Sequence, residues 1–181
     1  MMATFNHYQL ILDELKGTLS HVKDEEFDGF ASEVTEASRI FVAGKGRSGF
    51  VANSFAMRLN QLGKQAFVIG ESTTPSIQKG DLFIVISGSG STEHLRLLAD
   101  KAKSVEAEVV LLTTKLDSAI GEIADTVVEL PAGTKHDATG SDQPLGSLFE
   151  QSSQIFLDSV VIGLMTLSLI HISEPTRQEA I

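Results

Sequence analysis

The run Leu82-Phe-Ile-Val-Ile-Ser-Gly-Ser-Gly-Ser-Thr92 decides how the rest of this chain is read. Its first part, Leu82 to Ser87, is a short stretch rich in Val, Ile, Leu and Phe, as expected of a strand buried on both faces. Its second part packs four hydroxyls and two glycines into six residues, and a helical segment from Thr92 to Ser104 comes next. A buried strand that turns through a glycine-rich loop into a helix is one unit of a parallel α/β sheet.

The same unit recurs on either side. Arg39 to Ala43, Gln65 to Ile69, Glu108 to Thr113 and Thr126 to Leu130 also read as buried strands, while Gly49 to Leu62 and Ser118 to Ala124 read as helices. Five strands interleaved with helices predict a five-stranded parallel sheet with right-handed crossovers, in a single doubly wound α/β/α sandwich. Ahead of it, Leu10, Ile11, Leu12, Leu15 and Leu19 recur at helical spacing from Tyr8 onward, and a second helical stretch spans Phe27 to Ala37. These form an N-terminal helical arm. Pro131 to Pro144 has no apolar rhythm and reads as a long surface loop, of the kind that often carries function. From Leu148 to Met165 a long helix is apolar on more than one face, so it should pack on both the sheet and another subunit. Residues 1–181 fit one domain.

The totals narrow the function. A hydrophobic share of 42% and a charged share of 21% are those of a soluble globular protein, and no block of about 18 apolar residues offers a membrane span. A net charge of -10 excludes a broad nucleic-acid or anionic-membrane surface. The absence of cysteine excludes thiolate nucleophiles, disulfides and Cys-based metal sites, and fits a reducing compartment. With no basic segment and apolar core typical of a secretory leader, the cytoplasm is the default. A small phosphorylated ligand would have to be held by local features.

Two loops at strand ends supply such features, because helix N-termini beyond the carboxyl edge of a parallel sheet attract anions. In the second loop, Ser87, Ser89, Ser91 and Thr92 can donate to a phosphate, and Gly88 and Gly90 allow close backbone approach. Capping a helix needs one hydroxyl, and here there are four. The first loop, Gly44-Lys45-Gly46-Arg47-Ser48-Gly49, matches the dinucleotide pattern G-x-G-x-x-G, with Glu71 about 20 residues onward. Against a nicotinamide or flavin site stand the lack of room for a substrate domain, the polar Arg47 and Ser48 inside the turn, and the hydroxyl-rich second loop. Further along, Ser147-Leu-Phe-Glu150 fits a capping box, and the same Glu150 is a candidate base. Lys45, His136, Glu71 and Thr73 are lesser candidates. His7, His21 and His94 lack the spacing of a metal site, and none is expected.

Taken in order, Phe41-Val-Ala-Gly-Lys-Gly-Arg-Ser-Gly49, Phe55-Ala-Met-Arg-Leu59, Gly70-Glu-Ser-Thr-Thr-Pro75, Lys79-Gly-Asp-Leu82, Ile86-Ser-Gly-Ser-Gly90 and Pro144-Leu-Gly-Ser-Leu-Phe-Glu-Gln151 resemble the 6-phospho-3-hexuloisomerases. These belong to the sugar isomerase (SIS) domain superfamily, and the resemblance runs from about residue 5 to 165. It implies a homotetramer without metal or organic cofactor that interconverts 3-hexulose 6-phosphate and fructose 6-phosphate through an enediolate, in the ribulose monophosphate route of formaldehyde fixation or detoxification. By the same resemblance Glu150 is the base, Arg47 an active-site residue, and Gly46, Ser48, Ser87, Gly88, Ser89, Ser91 and Thr92 the substrate and phosphate contacts. The alternatives are another SIS-type isomerase and a sugar-phosphate sensor that binds without turnover. The Leu-Gly-Ser-Leu-Phe-Glu stretch favours the hexuloisomerase, and a sensor would normally carry a basic helix-turn-helix domain, for which there is no room. The stretch Ser168 to Ile181 departs from the family's Arg-His-Ala-Asn-Leu-Glu ending, and Pro175 cannot sit inside a continued helix. Residues 166–181 are therefore read as foreign to the family, and His171 is not assigned the role of its histidine.

Overall fold

The computed structural model describes residues 5–133 and 140–171, with side chains of the last helix through residue 166. Helices α1 (His7–Leu19) and α2 (Asp24–Glu36) lead into β1 (Arg39–Gly44), α3 (Arg47–Gln61), β2 (Gln65–Val68), β3 (Leu82–Ile86), α4 (Glu93–Ser104), β4 (Glu108–Thr113), β5 (Thr126–Glu129) and α5 (Ser147–His171). All strand pairs are parallel and the order is β2-β1-β3-β4-β5, with Val42 beside Ile84 and Ile84 beside Val110.

Alternate residues of each strand face opposite sides, so the continuous apolar runs feed two cores. On one face Ile40, Val42, Ile84, Val110 and Val128 pack with Phe30 of α2, Phe55 and Leu59 of α3, and Phe156, Leu157 and Val160 of α5. On the other, Phe41, Phe83, Val85, Val109 and Leu111 pack with Leu95, Ala99 and Ala102 of α4 and with Ile120. Helices thus cover both faces in an α/β/α sandwich, with α1 laid against α5. From β1 the chain winds outward to β2, and from β3 it winds the other way to β5. The β1/β3 boundary is therefore the topological switch point, where such sheets bind ligands beyond their carboxyl ends.

Several element ends shift from those expected, and α2 begins at Asp24, three residues ahead of Phe27. The first helix after β1 begins at Arg47, two residues ahead of the expected Gly49. Ser118 to Ala124 is a succession of turns, where a helix was expected. The Ser118 hydroxyl accepts from the Gly121 amide at 3.2 Å, and a Cβ on Gly121 would lie 2.5 Å from the Leu116 carbonyl oxygen. A serine bonding its own backbone and a crowded glycine compete with helix formation over so short a stretch. Among the described residues no helix is long and apolar enough to cross a membrane. Residues 172–181 lie outside the described residues, as do Lys135, His136 and Asp137.

Candidate active site

At the switch point the loops after β1 and β3 open a cleft of about 200 Å³. The loop after β3 is held from behind. The Gly88 carbonyl accepts from the Thr114 amide at 3.1 Å, from Thr114 Oγ1 at 2.8 Å and from Thr113 Oγ1 at 3.1 Å. The Ser87 amide donates to Leu112 and the Gly90 carbonyl accepts from Ile120, at 3.0 and 2.8 Å. Gly90 has φ +59°, and a Cβ there would lie 2.3 Å from Ser118 Oγ, so no other residue fits. With its outer side tied to β4 and the Ser118 turns, the loop presents Ser87, Gly88, Ser89 and Thr92 to the cleft, directly before the N-terminus of α4. Ser91 is placed differently: its amide meets Ser89 Oγ at 3.3 Å and its hydroxyl donates to the Ser89 carbonyl at 3.2 Å. It shapes the turn and does not line the cleft.

From the loop after β1, Ser48 is buried in the first turn of α3 and faces the cleft, and Lys45 borders it. Gly46, at φ +59°, lines a neighbouring depression together with Glu71. The other two glycines of the G-x-G-x-x-G pattern have a packing cause. A Cβ on Gly44 would sit 2.5 Å from the Ser48 carbonyl oxygen, and one on Gly49 3.1 Å from that of Gly44. Close passage of α3 over β1 thus accounts for the pattern without a dinucleotide.

The first turn of α5 closes the cleft with Phe149 and Glu150, the latter only 5% exposed. Arg47, reaching from α3, places Nη1 at 3.2 Å from Glu150 Oε2 and donates from the same atom to Ser147 Oγ at 2.7 Å. Ser147 in turn donates to the Pro144 carbonyl at 2.6 Å. The serine therefore holds Arg47 and the preceding turn. That turn is strained: Leu145, a branched side chain, stands exposed at φ +57°. Arg47 itself borders two depressions on the far side of Glu150.

The site thus joins a hydroxyl-rich loop at a helix N-terminus, a place suited to an anion, with a buried carboxylate and, behind that, a cation. Such a set can hold a phosphate and shuttle a proton. Sequence reading missed Phe149, Thr113, Thr114 and Gly146; the position of the threonines at the carboxyl end of β4 was the available signal. Glu71 and Thr73 lie outside the cleft, and among the described residues no group of His, Cys, Asp and Glu is placed to hold a metal ion.

The SIS domain pattern matches residues 33–157. The 3-hexulose-6-phosphate isomerase of Bacillus subtilis (strain 168) is 42% identical over 167 residues, covering 91% of this chain and 90% of that protein. That of Methylomonas aminofaciens is 43% identical over 165 residues, covering 88% and 90%. A Methanococcus jannaschii protein, whose crystal structure was described as inferring the function of 3-hexulose-6-phosphate isomerase, superposes with a TM-score of 0.77. It is 32% identical over 91% of this chain and 92% of that one. The two glycine-rich loops at the switch point and the extent of these matches lead to one conclusion: the chain belongs to the SIS domain family, among the 3-hexulose-6-phosphate isomerases.

Proposed function

We propose that this protein is a 3-hexulose-6-phosphate isomerase, interconverting that ketose with fructose 6-phosphate. The observation that carries the reading is the buried carboxylate of Glu150 in the wall of a cleft whose other side is the hydroxyl-rich loop of Ser87, Ser89 and Thr92. The loop and the α4 N-terminus hold the phosphate. Ser48 meets the sugar chain. Glu150 removes the proton from carbon 2 of the 3-hexulose, the electrons of that C–H bond form the C2–C3 double bond of an enediolate, and the carbonyl oxygen on carbon 3 takes up the charge. Return of the proton to carbon 3, with transfer of the carbon-2 hydroxyl proton to the oxygen on carbon 3, gives the carbon-2 carbonyl and carbon-3 hydroxyl of fructose 6-phosphate. Loop amides and Lys45 face the developing oxyanion, and stabilisation of this kind is worth several kcal/mol where water is excluded. Arg47 acts, in this reading, through Glu150, since its guanidinium meets that carboxylate and Ser147. No organic cofactor or metal enters the scheme.

The reading extends to a homotetramer in the cytoplasm. Supporting the first are large apolar side chains on the outer surface of α3 and α5, with Phe50 73% and Ile162 65% exposed.

The test is proton NMR of fructose 6-phosphate with the protein in heavy water. Deuterium should enter at carbon 3, a 3-hexulose signal should appear, and Glu150→Gln should slow both by roughly a hundredfold or more. Binding of fructose 6-phosphate without exchange would overturn the isomerase reading in favour of a sensor.

A further inference from the structure

Helix α1 lies against α5 on the outside of the sandwich, yet two of its residues, one turn apart, bond to chain 113 to 129 residues away. Thr18 Oγ1 donates to the Pro131 carbonyl at 3.0 Å. The Glu14 carboxylate accepts from the Asp142 amide, the Ser141 hydroxyl and the Gln143 side-chain amide, each at 2.8 Å. These partners belong to the two ends of the segment that leaves β5 and runs into α5. The ends also touch each other: a Cβ on Gly133 would lie 2.8 Å from Gly140 Cα, and one on Gly140 would lie 2.3 Å from Gly133 Cα. Helix α1 therefore staples the segment where it closes on itself.

Directly beyond the staple stands the machinery on the Glu150 side. Pro144 comes immediately after Gln143, its carbonyl takes the Ser147 hydroxyl, and Ser147 carries Arg47 against Glu150. Between them Leu145 is held in the left-handed region, a conformation that persists only where its surroundings enforce it. Gly133 and Gly146 form part of the cleft wall on this side. The opposite wall, the phosphate loop, is fixed by β4 and Ile120. Burial alone would push the Glu14 carboxyl up, but the hydrogen bonds from Gln143, Asp142 and Ser141 together hold it below its usual value, so it stays ionised near neutrality.

We propose that Glu14 is a positioning residue for the isomerisation: through Ser141, Asp142 and Gln143 it fixes the turn that delivers Ser147, Arg47 and Glu150 to the cleft. This rests on the isomerase reading above. Because the phosphate wall is anchored elsewhere, loss of the clamp acts on the chemical step more than on binding.

The experiment is steady-state kinetics and thermal melting of the full chain as wild type, Glu14→Gln, Gln143→Ala and the double variant. Misplacement of a base by an ångström costs up to a hundredfold, so kcat of Glu14→Gln should fall roughly ten- to a hundredfold. KM should stay within about threefold, as expected when an interaction with the transition state is lost. Gln143→Ala should lower kcat less, and the double variant should match Glu14→Gln, since both changes cut one linkage. A variant set that melts lower but keeps wild-type kcat would reduce Glu14 to a structural anchor and overturn the proposal. So would losses in kcat that simply add. A wild-type protein without turnover would instead refute the isomerase reading, and this proposal with it.

Discussion

Replacing Gly88 by alanine would press the loop after β3 against the helix that carries Glu150. The added methyl carbon would lie 3.1 Å from Phe149 Cδ1 and 3.5 Å from Cε1 and Cγ. Carbon atoms prefer about 3.5–4.0 Å, so the ring would have to retreat by roughly 0.5 Å. Phe149 is 3% exposed and packed in the core between the sheet and α5, so the retreat must move the first turn of α5 with it. The φ angle of Gly88 lies outside the left-handed region, leaving the contact itself as the main cost. Overpacking of this kind costs about 1–3 kcal/mol, and for a chain of this size each kcal/mol lowers Tm by about 2–4 °C. Gly88→Ala should therefore melt roughly 2–12 °C below wild type. Since Glu150 is the next residue after Phe149, kcat should fall by roughly tenfold or more. Differential scanning calorimetry and the isomerase assay read the two effects. Adding Phe149→Leu, which removes the ring edge, should restore part of both. Wild-type melting and turnover in Gly88→Ala, or losses from the two substitutions that simply sum, would refute the argument that the loop and the helix share this contact.

Other substitutions probe single groups. Ser87→Ala removes one buried hydroxyl from the expected phosphate site; a hydrogen bond to a charged group is worth about 1.5–3 kcal/mol, so kcat/KM should drop by roughly ten- to a hundredfold, and an unchanged value would remove Ser87 from that site. Glu33 is half-buried at the opposite end of the sheet, accepting from Thr126 Oγ1 at 2.5 Å. Burial, helped by the charges of Glu108 and Asp125, raises its carboxyl above the ordinary value of 4.5. A raised folded value means the native state holds the proton more tightly, so the protein is favoured below pH 4.5 and loses that advantage as pH rises through the folded value. Glu33→Gln should thus stabilise the protein at pH 8, by less than about 1 kcal/mol because solvent screens the site, and leave Tm unchanged at low pH. A lower melting point at pH 8 would contradict this.

How much of this was legible in the chain depended on the range of the interaction that decided it. The strands stood out because runs such as Leu82 to Ile86 are buried on both faces, which is a property of neighbours in sequence. The cleft loop after β3 was legible for the same reason, its hydroxyls and glycines being contiguous. Ser118 to Ala124 misled because Gly121 and the Ser118 hydroxyl override a helical composition through contacts that spacing does not reveal. Ser147 and Glu150 have the spacing of a local cap, but their partner, Arg47, is 100 residues from Ser147. The carboxylate of Glu14 was invisible for the same reason, and the threonines behind Gly88 were marked only by their place at the carboxyl end of β4.

The position of α5 last among the elements bears on how the molecule comes into being. A ribosome that has extruded the chain through Glu129 has released the five described strands and the loop after β3. The face of Ile40, Val42, Ile84 and Val110 still lacks Phe149, Phe156, Leu157, Val160 and Leu164, which arrive later. Parallel pairings are slow to form, and a nascent sheet with one apolar face covered only by α2 and α3 is open to association with other chains. The segment that shields this face also brings the Glu150 carboxylate, so the nascent protein gains its protection against aggregation and its proposed base in one event.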